Sequence, residues 1–532
     1  MKPPCDEAII RSRFAPFPCA REQRLWVLVA TIIGSSMAFI DSTVVNVALP
    51  ALQKTFGASV VDVQWVIEAY ALTLAAFILV GGSMGDMFGR RRMFLLGVAL
   101  FAGASAAGGF ASNVTQLIAA RAAQGIGAAF LVPGSLALIS ASFNEADRGK
   151  AIGTWSGSTA ITTAIGPVLG GWLIQDFSWR WVFFINVPLA LAVLFVSLWR
   201  VPESRSEQRR RIDWLGASMA TLGLTGLVFG FVESSRRGWN DPVVVASLIG
   251  GFAGTAAFLL VEARTNSPMV SPQLFQSQAF SGANLLTLFL YAALSIFFFL
   301  FPLDLIQVQG YSPIAAGAAI LPMILLMFLL SRWSGGLVHR YGARLPLIAG
   351  PVITGFGFFL FSLSSIGGSY WRAFFPAVIT LGFGMAVSVA PLTTVVMNAV
   401  DQDRVGTASG VNNAVSRVAG VLAIACLGAV MLATFSRQLN RRFEAIAMPE
   451  NVRHELQSNE IKMAALKPPA TIEPQTANTI RSSIVASFVF GFRLIMWICC
   501  ALALISAAVA WWLIPDATVV RVAQQVKSPA RA

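Results

Sequence analysis

The sequence predicts an all-α protein that crosses a membrane many times, and three observations carry that prediction. Hydrophobic residues make up 56% of the 532 and charged residues only 12%, with a mean hydropathy of +0.71; soluble chains carry about 25% charged residues. The apolar residues gather in runs of roughly 20, the length a helix needs to cross a ~30 Å hydrocarbon layer. The first six and last six runs also share a pattern of glycines, prolines and charges. A water-soluble enzyme and a disordered or fibrous chain are excluded by the first of these alone.

Taken in order, the runs fall at 25–48, 64–84, 93–112, 116–141, 150–174 and 181–199, then 213–232 and 243–261, then 279–302, 313–331, 343–363, 371–397, 405–433 and 494–514. These are 14 expected transmembrane helices: six, two inserted, and six. The net charge of +13 reads as basic loops on the cytoplasmic side rather than as a nucleic-acid surface. With the N-terminus inside, the inner segments hold 23 Lys and Arg against 5 in the short outer loops, so both termini are expected to be cytoplasmic. Many of the tryptophans, among them Trp26, Trp179, Trp333 and Trp512, fall near run ends, where amphipathic rings prefer to sit. Residues 1–24 are polar and basic and show no cleavable signal.

The expected organisation is a cytoplasmic tail at 1–24, a six-helix bundle at 25–200, two inserted helices at 201–265, a second six-helix bundle at 266–514, and a tail at 515–532. The second bundle includes a long external loop at 434–482, read as a solvated cap. The cysteines (Cys5, Cys19, Cys426, Cys499 and Cys500) form no CxxC pair, so no metal site or disulfide framework is indicated.

The internal repeat is legible in three blocks. GSMGDMFGRR at 82–91 recurs in outline as GGLVHRYGAR at 335–344. Gly125, Gly127, Pro133, Asp147 and Arg148 are echoed by Gly382, Gly384, Pro391, Asp403 and Arg404 at nearly one offset. Repeated halves are how many secondary transporters are built. In the first block, small glycines let two helices and a tight turn approach closely. Asp86 there can accept hydrogen bonds from arginines or a helix N-terminus, a contact whose breaking would gate a rocking motion. In the fifth run, Gly153, Gly157, Gly166 and Gly170 follow small-residue spacing for close helix packing, and Pro167 favours a kink.

GGSMGDMFGRRR at 81–92, LIAARAAQGIGAA at 117–129, IDSTVVNVALP at 40–50, WRWVFFINVP at 179–188 and Gly157 with TAIGPVLGG at 163–171 together resemble the major facilitator superfamily, and within it the 14-helix drug:proton antiporters of the EmrB/QacA type. The resemblance covers nearly the whole chain. It implies a major facilitator fold and a gating loop at Gly82, Asp86, Gly89, Arg90 and Arg91. It also implies an antiporter helix with Gly157, Gly166, Pro167, Gly170 and Gly171, where Thr162 stands in place of one family glycine.

Four ionisable residues fall clearly inside runs: Asp41, Glu68, Arg121 and Arg417. Such residues are costly and are functional candidates by default. At a rise of ~1.5 Å per residue, Asp41 lies roughly 24 Å above the inner face, while Glu68 and Arg121 lie roughly 6 and 8 Å below the outer face. These three are therefore expected at one depth as the proton-coupling and substrate group. The arginine should hold one acid ionised and leave the other to exchange a proton.

The function expected is secondary active export of amphipathic, often cationic drugs or toxic compounds in exchange for protons, from a multi-pass position in the inner (plasma) membrane. A narrow exporter of one metabolite (an amino acid, siderophore or antibiotic) is the alternative. No nucleotide-binding GxxxxGK[ST] occurs. The only histidines, His339 and His454, are expected in loops on opposite faces. No enzyme activity, catalytic residue or cofactor is expected. The partners are a small-molecule substrate, protons and the bilayer, with no nucleic acid. A periplasmic adaptor is compatible with the sequence but not required by it.

Overall fold

The computed structural model describes residues 21–143, 145–205, 213–265, 270, 272–364, 366–367, 369–400, 405–446, 448–469 and 472–515. Among these there is no strand, and 14 helices are long and apolar enough to cross a membrane. The chain separates into two compact units, one holding 1–269 with 305–318 and the other 270–304 with 319–532.

In the first unit, α1 runs Arg21–Phe56, α2 Val60–Phe88, α3 Arg90–Gly109, α4 Val114–Ser142 and α5 Glu145–Asp176. The sixth span is broken at Ile185 into α6 (Trp181–Phe184) and α7 (Asn186–Arg200). The inserted pair is α8 (Trp214–Arg237) and α9 (Pro242–Arg264), and α11 (Pro313–Ala318) packs against α5. Polar caps set the helix starts at the apolar boundaries. Ser59 and Asp62 form a reciprocal capping box on α2, and the Asn113 side chain accepts from the Gln116 amide on α4, satisfying donors a helix N-terminus leaves free.

In the second unit, α10 runs Gln278–Leu303 and continues into a single π turn at Asp304–Val308, just after Pro302; the turn itself lies across the division between the units. It is followed by α12 (Leu321–Tyr341), α13 (Arg344–Ser362), α14 (Tyr370–Ala373), α15 (Phe375–Asn398), α16 (Val405–Glu444), α17 (Glu450–Ser458) and α18 (Pro474–Leu513). The pairing of helices repeats between units. In the first, α2 and α3 pack on α4, and α1 packs on α5 and α7; in the second, α12 and α13 pack on α15, and α10 packs on α16 and α18.

The inserted pair packs chiefly on itself, and α8 also touches α2. Close approach of α8 and α9 rests on small residues, since a Cβ on Gly223 would stand 2.6 Å from the Thr255 nitrogen and one on Gly226 2.9 Å from Gly251 Cα. Without a hydrophobic force between helices in lipid, such small-residue seams carry association.

The 434–482 stretch differs from the expected loop. The forty-residue helices α16 and α18 extend into it from either side, and α17 and a 3₁₀ turn at Glu460–Ala465 lie between. The reason is a buried face that polar composition conceals: Leu439, Phe443, Val452, Leu456, Met463 and Ile480 are all at most 5% exposed. Glu460 sits in this cap. Burial pushes its carboxyl up, partly offset by hydrogen bonds donated by Ser436 and Asn440.

Candidate functional site

Three of the predicted charges lie on α1, α2 and α4, and the structure joins two of them. Asp41 is 0% and Arg121 1% exposed. Arg121 Nη1 donates to Asp41 Oδ2 at 2.5 Å and to Gln124 Oε1 at 2.7 Å. Gln124, one turn further along α4, donates from Nε2 to Asp41 Oδ1 at 2.8 Å, closing a three-residue ring. Arg121 Nε donates to the Val66 carbonyl of α2 at 3.1 Å, and the guanidinium carbon stands 4.3 Å from the Tyr70 ring centre, a cation–π distance.

The break at Ile185 turns Asn186 inward. Its Nδ2 donates to Ser105 Oγ at 3.0 Å and reaches Asp41 Oδ1 at 3.5 Å, while Ser105 donates to the Phe183 carbonyl at 2.8 Å. Six helices of the first unit, α1 to α4 with α6 and α7, thus meet at one sealed polar network with no net formal charge. Such a pair offsets its desolvation only when its remaining donors and acceptors are matched, and here they largely are. Gln124, Asn186 and Ser105 were not singled out in the sequence, since neutral polar residues in an apolar run carry no charge signal.

Glu68 does not join this network. At 100° per residue it lies about 200° around α2 from Val66 and from Tyr70, the two residues that meet Arg121. Its face is nearer that of Trp65, whose Nε1 donates to Glu233 Oε1 of α8 at 2.9 Å. Glu68 is 0% exposed, and neither carboxylate oxygen has a hydrogen-bond partner among the described residues. The three predicted charges therefore fall into two different environments, a matched pair and a buried acid with no hydrogen-bond partner among the described residues.

At the predicted gating loop, Gly89 ends α2 and starts α3 with φ +114°, a conformation that favours glycine. The Asp86 side chain lies outside the described residues. Among the described residues, the carboxylate that meets the arginine run there is Glu203, in the segment after α7. Its Oε1 accepts from the Arg91 amide at 3.0 Å and its Oε2 from the Arg92 amide at 3.2 Å, with Arg92 Nε 3.7 Å away. The Arg90 amide donates to the Ser204 carbonyl at 2.9 Å, and Arg91 Nη1 to the Val201 carbonyl at 2.9 Å. A Cβ at Gly89 would stand 2.8 Å from Glu203 Cδ, so the glycine serves both the turn and the access of this acid. A Cβ on Gly82 would stand an ordinary 3.7 Å from Pro133 Cβ of α4.

Along α5 the predicted glycines divide. A Cβ on Gly166 would overlap Thr43 Oγ1 of α1, one on Gly170 would stand 2.7 Å from Val44 Cγ2, and one on Gly171 2.5 Å from the Pro313 carbonyl of α11. Gly157 has nothing within 4 Å. Pro167 lies inside the helix, and Thr162 donates back to the Thr159 carbonyl at 2.9 Å.

A model of the Major Facilitator Superfamily matches residues 31–424. The chain belongs to the Major Facilitator Superfamily. Among its relatives are the multidrug resistance protein Stp of Mycobacterium tuberculosis (strain CDC 1551 / Oshkosh), 36% identical over 440 residues covering 81% of this chain and 80% of that protein, and the tetracenomycin C resistance and export protein of Streptomyces glaucescens, 32% identical over 498 residues covering 92% and 91%. The fold matches that of a bacterial homologue of the human lysosomal transporter Spinster with a TM-score of 0.63 at 18% identity, over 92% of this chain and 98% of that one. As a superfamily member with 14 membrane-capable helices, the chain is a multi-pass membrane protein of a transporter family.

Proposed function

We propose that this protein exports amphipathic drugs or antibiotics across the plasma membrane in exchange for protons by alternating access, with both termini cytoplasmic. The observation that carries the reading is the sealed Asp41–Arg121 pair on α1 and α4, accompanied by a second buried carboxyl, Glu68, that has no hydrogen-bond partner among the described residues. Relatives named as multidrug resistance and antibiotic export proteins support the substrate class. Relatives named for a single compound, such as the cephamycin export protein of Amycolatopsis lactamdurans, keep a narrow specificity as the second reading.

In this mechanism Asp41 and Glu68 are the proton-coupling groups. Arg121 orients Asp41, and protonating Asp41 would release the guanidinium from its ring with Gln124. A sealed carboxyl without a donor is costly to hold as an anion, so Glu68 needs a proton or a substrate cation as its compensating charge. At ~100 mV and one pH unit, a proton entering carries about 3.7 kcal/mol, enough for a roughly 500-fold gradient of a neutral solute. Exchange of one monovalent cation for one proton cancels the electrical part and leaves roughly tenfold. Two titrating acids supply what steep cation export needs. The loop of Gly82, Asp86, Gly89, Arg90 and Arg91 acts as the cytoplasmic gate, and the Gly166–Gly170 seam of α5 is where the antiporter helix slides on α1.

The test is accumulation of fluorescent dyes and antibiotics in cells lacking background efflux pumps. Expression should lower accumulation, and a protonophore should restore it. Unchanged accumulation of every compound tried, or export indifferent to the protonophore, contradicts the reading.

A further inference from the structure

In the second unit, Arg417 is a charge within an apolar span that the coupling mechanism leaves unused. Arg417 lies nine residues into the apolar span of α16 that begins at Ala408, roughly 14 Å deep. It is half-buried. The described ion pairs join Arg24 to Asp147, Arg92 to Glu203, Arg121 to Asp41, Arg236 to Asp62 and Arg237 to Glu233; Arg417 enters none of them. Asp304 is nine residues beyond Ser295, the α10 residue that meets Gly420 one turn from Arg417, and so roughly 14 Å further along that helix.

What surrounds Arg417 is polar and small. Along the seam of α16 with α10, Asn412 Nδ2 donates to Thr287 Oγ1 at 2.7 Å and Asn284 Oδ1 at 3.1 Å. A turn further, a Cβ on Gly420 would stand 2.7 Å from Ser295 Oγ of α10. Asn413, one turn before Arg417 on the same face, is exposed, and Gly410 has open space before it. Arg417 is only half-buried, so its side chain keeps access to the space beside α16. An arginine with asparagine and glycine on its face at this depth does not face lipid, because charged groups in membrane helices face the bundle interior or a water-filled cavity. A lipid headgroup lies too far away, at the membrane surface, to neutralise it.

Resting on the export reading above, we propose that Arg417 is the recognition point for a carboxylate on the transported compound, so that amphipathic acids are among the substrates. The planar guanidinium can bind a carboxylate through two parallel hydrogen bonds, and Asn413, exposed one turn before it on α16, carries an amide able to add a donor. With no acid paired to it among the described residues, Arg417 brings to the site a positive charge that such a ligand would neutralise.

The probe is a matched pair of rhodamine dyes, one with a free carboxylate and the other its methyl ester, bound to the purified full-length protein in lipid nanodiscs and read by fluorescence polarisation. Wild type should bind the carboxylate form about tenfold or more tightly than the ester, the scale of one charged hydrogen bond. Arg417→Gln should abolish that discrimination. Arg417→Lys, which keeps the charge and loses the bidentate geometry, should keep part of it and provides a second variant should the first fold poorly. No preference in wild type, or a preference that survives in Arg417→Gln, overturns the proposal. The export reading fails separately: wild-type vesicles that prefer the carboxylate dye in binding yet do not move it under a proton gradient would contradict coupling while leaving the Arg417 site standing.

Discussion

Replacing Glu203 with Gln removes the charge that two backbone amides share at the start of α3. Glu203 bonds the Arg91 amide at 3.0 Å and the Arg92 amide at 3.2 Å, and these are among the donors a helix N-terminus leaves free. A glutamine keeps one acceptor oxygen and turns its NH₂ toward the other amide, so one charge-assisted bond is lost, about 1.5–3 kcal/mol. The contact with Arg92 Nε adds little, because that side chain is 65% exposed and exposed pairs contribute about 0–1 kcal/mol. Local opening of the α2–α3 turn should therefore become roughly tenfold to a hundredfold more frequent in Glu203→Gln, and at most about fivefold more frequent in Arg92→Ala. Amide hydrogen exchange over residues 90–93, measured where exchange reports the opening equilibrium, reads this directly. Equal protection in Glu203→Gln and wild type, or a larger effect from Arg92→Ala, would refute the assignment of Glu203 as the cap of this turn.

Two further predictions concern packing and pH. Gly166→Ala places a methyl group onto Thr43 Oγ1 and should destabilise the protein by about 1–3 kcal/mol, with much of the loss recovered in the Thr43→Ala/Gly166→Ala pair. Gly157→Ala, with open space around it, should be neutral or slightly stabilising; thermal unfolding of the purified variants checks both. Glu460 is held above the ordinary carboxylate range by burial, so its penalty is absent below its unfolded value, near 4.5, and grows as pH rises through the folded one. Glu460→Gln should accordingly flatten the decline in thermal stability above that value, and an unchanged pH profile would contradict the assigned cause.

Much of the architecture is legible in the sequence because lipid imposes a simple rule: runs of about 20 apolar residues must be helices that satisfy their own backbone. All fourteen runs meet helices long enough to span a membrane. The Asp41–Arg121 pair is legible by depth, since both charges sit inside apolar runs. Depth alone does not give azimuth, which is why Glu68 reads as a third member although its face of α2 turns away from Arg121. Glu203 is illegible for a different reason: in VPESR it reads as a solvated acid, and only the fold brings it to the amides of Arg91 and Arg92. The helical extensions around 434–482 are hidden by their charged outer faces, while Leu439, Phe443 and Leu456 supply a buried face spread across separate elements.

The central claim, that Asp41 and Glu68 exchange protons for substrate, is tested most directly by substrate-induced proton release. Purified, monodisperse protein in weakly buffered detergent is mixed with a transported compound, and a pH-indicator dye reports the protons set free. Wild type should release protons on binding. Asp41→Asn should release none that are coupled to binding, and Glu68→Gln should lose release chiefly with cationic compounds. Normal release from both variants would contradict the account and place the coupling site elsewhere.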